Sequence, residues 1–231
     1  MSSERTVWGI GTPRTIRPQW ALIELGLDYE HEKILPRGGG IEHLGLLAVS
    51  PRHKVPFYED DRVAIGESAA ICCYLANRYG DKGLRLPEPG TAELAQFYDR
   101  VFYTMTEIDA RIYTVRLHSD PPLGLSETYG KAPVACDAAK DYVQRGFKEA
   151  TRWLEDGRSF VMGEDFGVCD ILLTTCLDWA KDYDMTLLGA LNDYRGRVMA
   201  RPSYAAAIES NDASKACMTD VNLSESANKS I

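Results

Sequence analysis

The chain has 231 residues, of which 45% are apolar and 26% charged, and a net charge of −8. That length supplies one large domain or two modest ones with sizeable cores. The acidic balance argues against nucleic acid, whose phosphates need a basic face, and against an anionic membrane surface. No apolar run reaches the ~18 residues that a membrane-spanning helix needs, and MSSERTVWGIG lacks the basic-then-apolar pattern of a secretory signal. The six cysteines (72, 73, 136, 169, 176 and 217) contain no C-x-x-C pair, and the four histidines (31, 43, 53 and 118) show no ligand spacing with them. No metal site is expected, and thiols acting as small apolar fillers in a reducing, cytoplasmic setting fit this pattern.

Residues 6–10, TVWGI, have β-forming character and read as a first strand that ends at Gly11. Thr12-Pro13 reads as N-cap and first helical position. The helix is expected to run to about Leu25 with Ile16, Trp20 and Ile23 on one stripe, a bend at Pro18, and Gly26 as the C-cap. Residues 29–34 read as a second strand. The stretch 36–50 reads as a loop with a short helical piece at 42–47. Gly38-Gly39-Gly40 within it lacks the GKS or GxGxxG context of a phosphate cradle and reads as plain loop.

The stretch Pro51 to Leu75 carries the most chemistry. Val55 to Tyr58, the acidic turn Glu59-Asp60-Asp61 and Arg62 to Ile65 read as a hairpin. Pro56 costs that first strand a ladder donor, so it belongs at an edge or at the strand opening. Glu67-Ser68 stands at the start of an apolar-periodic helix with Ser68 as N-cap. A helix N-terminus attracts a carboxylate, and a neighbouring glutamate attracts an amine, so this point suits an amino-acid head group.

Residues 81–90, DKGLRLPEPG, break all periodicity and read as a linker. Beyond it the chain reads as helical. One long helix is expected from Thr91 to about Leu117 and another from Ala132 to Leu154. A nearly all-apolar helix over 168–183 should form the centre of a bundle. Shorter helices are expected at 186–192 and 204–210, followed by a loosely ordered polar tail. The resulting division is 1–80, a linker at 81–90, a helical domain at 91–213 and a tail at 214–231.

Thr12-Pro13, Ala21 to Glu30 (ALIELGLDYE), Ser50 to Pro56 (SPRHKVP), Glu67 to Leu75 (ESAAICCYL), Phe166 to Ile171 (FGVCDI) and Arg201 to Tyr204 (RPSY) occur in the order and spacing of the glutathione S-transferase superfamily. The chain resembles a cytosolic, bacterial-like member with a Ser/Thr-type catalytic position. The resemblance implies an α/β plus all-α architecture, a thioredoxin-like domain followed by an all-helical one. It also implies an enzyme that binds glutathione and activates its thiol for attack on a hydrophobic electrophile, acting as a homodimer without a metal. A glutathione-dependent lyase, dehalogenase or isomerase of the same fold, and a non-catalytic glutathione-binding module, are the alternatives.

By this resemblance Thr12, with Thr15 as the alternative, is the hydroxyl donor to the sulfur. Val55-Pro56 is the cis step that presents backbone to the cysteinyl unit, and Glu67 with Ser68 holds the γ-glutamyl amine and carboxylate. His53, Lys54, Arg14 and Arg17 are candidates for the glycyl carboxylate, and Tyr103, Thr106 and Tyr113 for the electrophile pocket. Two positions depart from the pattern. Thr stands where Ser or Tyr is usual, and Gly167 replaces the hydroxyl N-cap of the family's FT-x-AD box, which a glycine tolerates at a cost of a few tenths of a kcal/mol.

Overall fold

Strand β1 (Thr6–Trp8) is the hub of a sheet that also holds β2 (Glu30–Glu32), β3 (Phe57–Glu59) and β4 (Ala64–Gly66), in the order β2-β1-β3-β4. This is seen in a computed structural model that describes residues 5–37, 44–80, 83–187 and 189–216. β1 runs parallel to β2 and antiparallel to β3, and β3 and β4 form the expected hairpin. A parallel pair needs a crossover, and helix α1 (Ile16–Glu24) supplies it. The α1 helix is buried nearly all round, with Arg17, Ala21 and Leu22 as enclosed as Ile16 and Trp20, so the expected single stripe is too narrow.

Helix α1 starts later than Thr12-Pro13 suggests. Thr12 Oγ1 does accept from Arg14 N (3.3 Å) and Thr15 N (3.0 Å), but it caps the turn that leads into the helix. Pro18 therefore falls in the first turn, where its missing N–H would have no intrahelical partner anyway, and no bend is required. At the other end Gly26 N donates to Ile23 O (3.0 Å) and Leu27 N to Leu22 O (3.0 Å), the paired bonds of a glycine C-cap. Helix α2 (Leu44–Val49) covers the described part of the short helical piece, while Gly38-Gly39-Gly40 lies outside the described residues.

The acidic turn is a clasp as well as a turn. Asp60 Oδ1 accepts from Arg62 N (2.9 Å) and Val63 N (3.1 Å), closing the hairpin. Asp60 Oδ2 accepts from Tyr58 (2.9 Å), Tyr74 (2.9 Å) and Arg78 (2.8 Å), which ties the hairpin to helix α3 (Ser68–Tyr79). Burial works to raise this carboxyl, but the donors hold it below its ordinary value.

The expected long helix over 91–117 is interrupted. Helix α4 (Ala92–Tyr103) passes into a π-helical turn at Thr104–Asp109 and continues as α5 (Ala110–His118). A π turn holds one residue more than an α turn, which shifts the phase of everything after it. Short α6 (Ser126–Tyr129), long α7 (Pro133–Arg152), α8 (Val168–Lys181), α9 (Gly189–Met199) and α10 (Pro202–Ser210) follow. Helix α9 is longer than the expected 186–192 piece. Ahead of the expected tail at 214–231, Asn211 docks on the loop between β1 and α1, and a short 3-10 turn follows at Ala213–Lys215.

Twelve of the fourteen residues of α8 are buried, which makes it the central helix, so its polar side chains need partners inside. Asp170 Oδ2 accepts from Gly167 N (2.8 Å), and Oδ1 accepts from Val161 N (2.9 Å) and the Tyr194 hydroxyl (2.6 Å). The acid thus fixes the N-terminus of α8 that Gly167 cannot cap by itself. Burial pushes the Asp170 carboxyl up to about 6, against the lowering pull of those donors. A carboxyl raised in the folded state stabilises while it holds its proton, fully below about pH 4, and that contribution is lost as pH rises through about 6. The expected outcome for Asp170→Asn is a loss of about 1–3 kcal/mol at pH 5. The gap to wild type should be widest near pH 4 and should narrow at pH 7, as read by urea unfolding across that range.

Candidate functional site

A cleft of about 620 Å³ opens between the hairpin, the start of α3 and the π turn. Arg14, Arg52, Lys54, Val55, Pro56, Glu67, Ser68, Met105 and Asp109 are among its walls. The Val55–Pro56 bond is cis and immediately precedes β3, so Pro56 opens the strand without costing the ladder a bond. Glu67 is the N-cap of α3 and adopts φ 65°, ψ 107°, a left-sided conformation that costs a non-glycine residue ~1–3 kcal/mol and marks sites held for a purpose. Ser68 is thus the first helical residue, one position later than expected. The Glu67 carboxylate reaches out to Arg52 at 2.8 Å, and both side chains are about two-thirds exposed. An exposed pair of this kind is weak, so Glu67 can exchange its partner for a ligand's amine.

Behind Ser68 stands Arg17, fully enclosed, and each guanidinium N–H has a partner. Nε donates to Thr175 Oγ1 (2.8 Å) in α8, and Nη1 to Ser68 Oγ (3.1 Å) and Met105 Sδ (3.5 Å). Nη2 donates to Asp109 Oδ2 (2.7 Å) and Cys176 Sγ (3.2 Å). Asp109 also takes Arg14 through Nε (3.0 Å) and Nη2 (2.5 Å) on its other oxygen. Burial works to raise the Asp109 carboxyl, yet Arg17 and Arg14 hold it below its ordinary value. One carboxylate between two guanidiniums leaves net positive charge on the cleft floor. The Arg14 guanidinium is further fixed over the rings of Tyr113 (4.3 Å) and Trp179 (5.5 Å). Because Arg17 donates to Ser68 and cannot accept, the Ser68 proton remains available to a ligand oxygen in the cleft.

Thr12 is not among the walls of this cleft. It lines a second cavity of about 660 Å³ with Pro13, Ile16, Asp178, Trp179, Tyr204 and Asn211. Arg14 lines the first cleft, and its guanidinium lies over Trp179, a wall of the second cavity. The loop between β1 and α1 fits there because of two glycines. A Cβ on Gly9 (φ 111°) would meet the Val55 Cβ at 2.5 Å and the Thr15 Cγ2 at 2.8 Å, and one on Gly11 (φ 81°) would meet the Ala213 Cβ at 2.8 Å.

Of the residues the sequence singles out, Arg14, Lys54, Val55, Pro56, Glu67 and Ser68 share the cleft. Arg17 is buried behind it and supports Ser68, so it has no free N–H for a glycyl carboxylate. His53 (φ 48°) is exposed on the same loop but is not among the cleft walls. Thr15 is buried. Of the three pocket candidates, Tyr113 lies against Arg14, while Tyr103 packs on Trp153 at 5.6 Å and exposed Thr106 bonds the Phe102 carbonyl (3.0 Å). Asp109 and Asn211 escape the sequence reading. A charge on the Met105–Ile112 stripe is the signal that would have found Asp109, whereas nothing in the polar run after Ser210 marks Asn211.

The geometry has counterparts in known proteins. Residues 11–83, which carry most of the cleft, match the family model of the glutathione S-transferase N-terminal domain. Glutathione S-transferase A of Pleuronectes platessa is 30% identical over 109 residues, 46% of this chain and 48% of that protein, so the chain spans about half of its length. Glutathione S-transferase GstB of Escherichia coli (strain K12) is 27% identical over 173 residues, 73% of this chain and 79% of that protein. A glutathione transferase family member from Pseudomonas fluorescens Pf-5, solved with two glutathione bound, is 20% identical with a TM-score of 0.76, covering 90% of this chain and 93% of that one. The fold is therefore a thioredoxin-like domain followed by a helical domain. Together the comparisons support the glutathione S-transferase superfamily.

Removing the Asp109 carboxylate would leave Arg17 enclosed without a counter-charge. Asp109→Leu is expected to cost about 3–5 kcal/mol, read as a lower urea midpoint with an unchanged slope.

Proposed function

We propose that this protein is a glutathione transferase, binding glutathione in the first cleft and presenting its sulfur to a hydrophobic electrophile in the second cavity. The observation that supports this most is the convergence on one cleft of the cis Val55–Pro56 step, Glu67 and Ser68. In this reading Ser68 and the first amides of α3 take the γ-glutamyl carboxylate, and Glu67 takes the amine. Val55 offers its backbone to the cysteinyl unit, and Lys54 serves the glycyl carboxylate. Solved structures of the same fold, one with glutathione and one with oxidised glutathione bound, support the ligand. So does the charge of the site, because a ligand with two carboxylates and a thiolate suits a cleft whose floor is net positive although the chain is net −8.

The chemistry required is thiol activation. A free thiol of pKa about 8.5 is only a few per cent ionised at pH 7, so lowering it by about two units raises the thiolate more than tenfold. Thr12 donates a hydrogen bond to the developing thiolate, and the Arg14 guanidinium adds positive charge beside it. Thr15 is set aside because it is fully enclosed and its proton is engaged. The apolar and aromatic walls of the second cavity, Pro13, Ile16, Trp179 and Ile208, receive the electrophile. A cytoplasmic homodimer belongs to the same reading by family likeness.

With glutathione and 1-chloro-2,4-dinitrobenzene, wild type is expected to form the conjugate, followed by absorbance. Thr12→Val should lower kcat by about 100-fold. No conjugate from the wild type would refute the activity, and an unaltered kcat in Thr12→Val would refute the role of Thr12. Ser68→Ala should raise KM for glutathione about tenfold, the worth of one charge-assisted hydrogen bond, with little change in kcat.

A further inference from the structure

Asn211 closes helix α10 with its own N–H on Ala207 O (2.9 Å), and α10 is braced on α1 by Trp20 Nε1 to Ser203 Oγ (3.1 Å) and on the segment that follows α1 by the Tyr29–Ser210 hydroxyl pair (3.0 Å). From that fixed place Asn211 grips the loop between β1 and α1. Gly11 N donates to both Asn211 O (3.1 Å) and Asn211 Oδ1 (3.0 Å), Gln19 Nε2 donates to Oδ1 (3.3 Å), and Asn211 Nδ2 donates to Thr12 O (3.0 Å). The shortest contact is Thr15 Oγ1 to Asn211 Oδ1, at 2.7 Å.

These contacts set the direction of the threonine pair. A hydroxyl has one proton and two acceptor positions. Asn211 Oδ1 and Thr12 O, the latter 3.0 Å from Thr15 Oγ1, can only accept, so the Thr15 proton goes to one of them and not to Thr12 Oγ1, and the 2.7 Å contact favours Asn211. Thr15 Oγ1 already accepts from Thr12 N (2.9 Å). The 3.0 Å contact between the two hydroxyls must then be a bond donated by Thr12. Thr12 Oγ1 in turn accepts from the amides of Arg14 and Thr15, which fills its acceptor positions and strengthens it as a donor. Its proton is the one that can turn from Thr15 to an incoming sulfur.

We propose that Asn211 is a positioning residue for thiol activation: by holding the Gly11–Thr12 backbone through its carbonyl and amide groups, and by taking the Thr15 proton ahead of Thr12 O, it keeps Thr12 in place as the donor to the sulfur. This rests on the glutathione-transferase reading above. It gives the C-terminal end of α10 a part in the chemistry, although it lies about 200 residues along the chain from the loop it orders.

The test is the ionisation of glutathione bound to the full chain, followed by thiolate absorbance against pH, with steady-state kinetics and thermal melting alongside. For Asn211→Ala the expected result is a bound-thiol pKa about one unit above wild type, which is about tenfold less thiolate below that pKa. KM for glutathione should stay within twofold, because the cleft walls are untouched. Asn211→Asp keeps the acceptor oxygens but loses the donor to Thr12 O and brings a negative charge toward the thiolate. It should raise the pKa at least as far, and it serves if the alanine variant does not fold. A wild-type pKa depressed below that of free glutathione and unchanged in the variant that folds overturns this inference alone, even if melting temperature falls. A wild type that leaves the bound thiol at its free value overturns the functional reading, and this inference with it.

Discussion

The enclosed guanidinium of Arg17 is the interaction on which the arrangement of the molecule depends. Burying such a charge costs several kcal/mol unless its donors and its charge are both met. Here they are met by residues from three separate places: Ser68 at the start of α3, Met105 and Asp109 in the π turn, and Thr175 and Cys176 in α8. These bonds tie α1, α3, the π turn and α8 to one another through a single side chain. The same contacts position Ser68 in the cleft and Asp109 on its floor, so the scaffold's constraint is also the site's.

The π turn makes that placement possible. Helix α4 packs on α8, and α5 on α7 and α8, but a continuous α-helix would carry one register through both. The extra residue in the wider turn shifts the phase and lets Asp109 face inward between Arg14 and Arg17. Gly146 in α7 accommodates the wider turn, since a Cβ there would come within 3.1 Å of Ile108 Cγ1. Local irregularity here serves electrostatics, because the net positive floor arises in a chain that is strongly acidic as a whole.

The hairpin, Pro56 at the strand opening, Glu67 and Ser68 were legible because they lie within eighteen residues of one another and each carries a local signature: a polar turn, a Pro at a strand opening, a polar pair ahead of an apolar helix. The cis state of the Val55–Pro56 bond has no such signature and came from the family resemblance alone. The burial of α8 was legible from its apolar run. Misplacements came where a local rule met a tertiary competitor. Thr12-Pro13 has the signature of a helix start, but Thr12 caps the approach turn while Thr15 is drawn to Asn211. The polar residues after Ser210 have the signature of a loose end, yet the first of them is anchored by the loop it grips. Arg17 was read as a partner for a ligand's glycyl carboxylate because its own counter-ion, Asp109, lies 92 residues further along the chain.

What the sequence determined by itself was therefore the set of elements, the α/β-then-helical order and the ligand-facing loop, since periodicity, turn chemistry and capping act over a few residues. Only the tertiary structure decided which charges are buried and which hydroxyl keeps a free proton. It also decided that Arg14, a wall of the cleft, lies over Trp179 of the second cavity. Those outcomes depend on donors and acceptors between 50 and 200 residues apart meeting at hydrogen-bond distance, as Arg17 does with Ser68 and Gly11 with Asn211, and no local pattern carries that information.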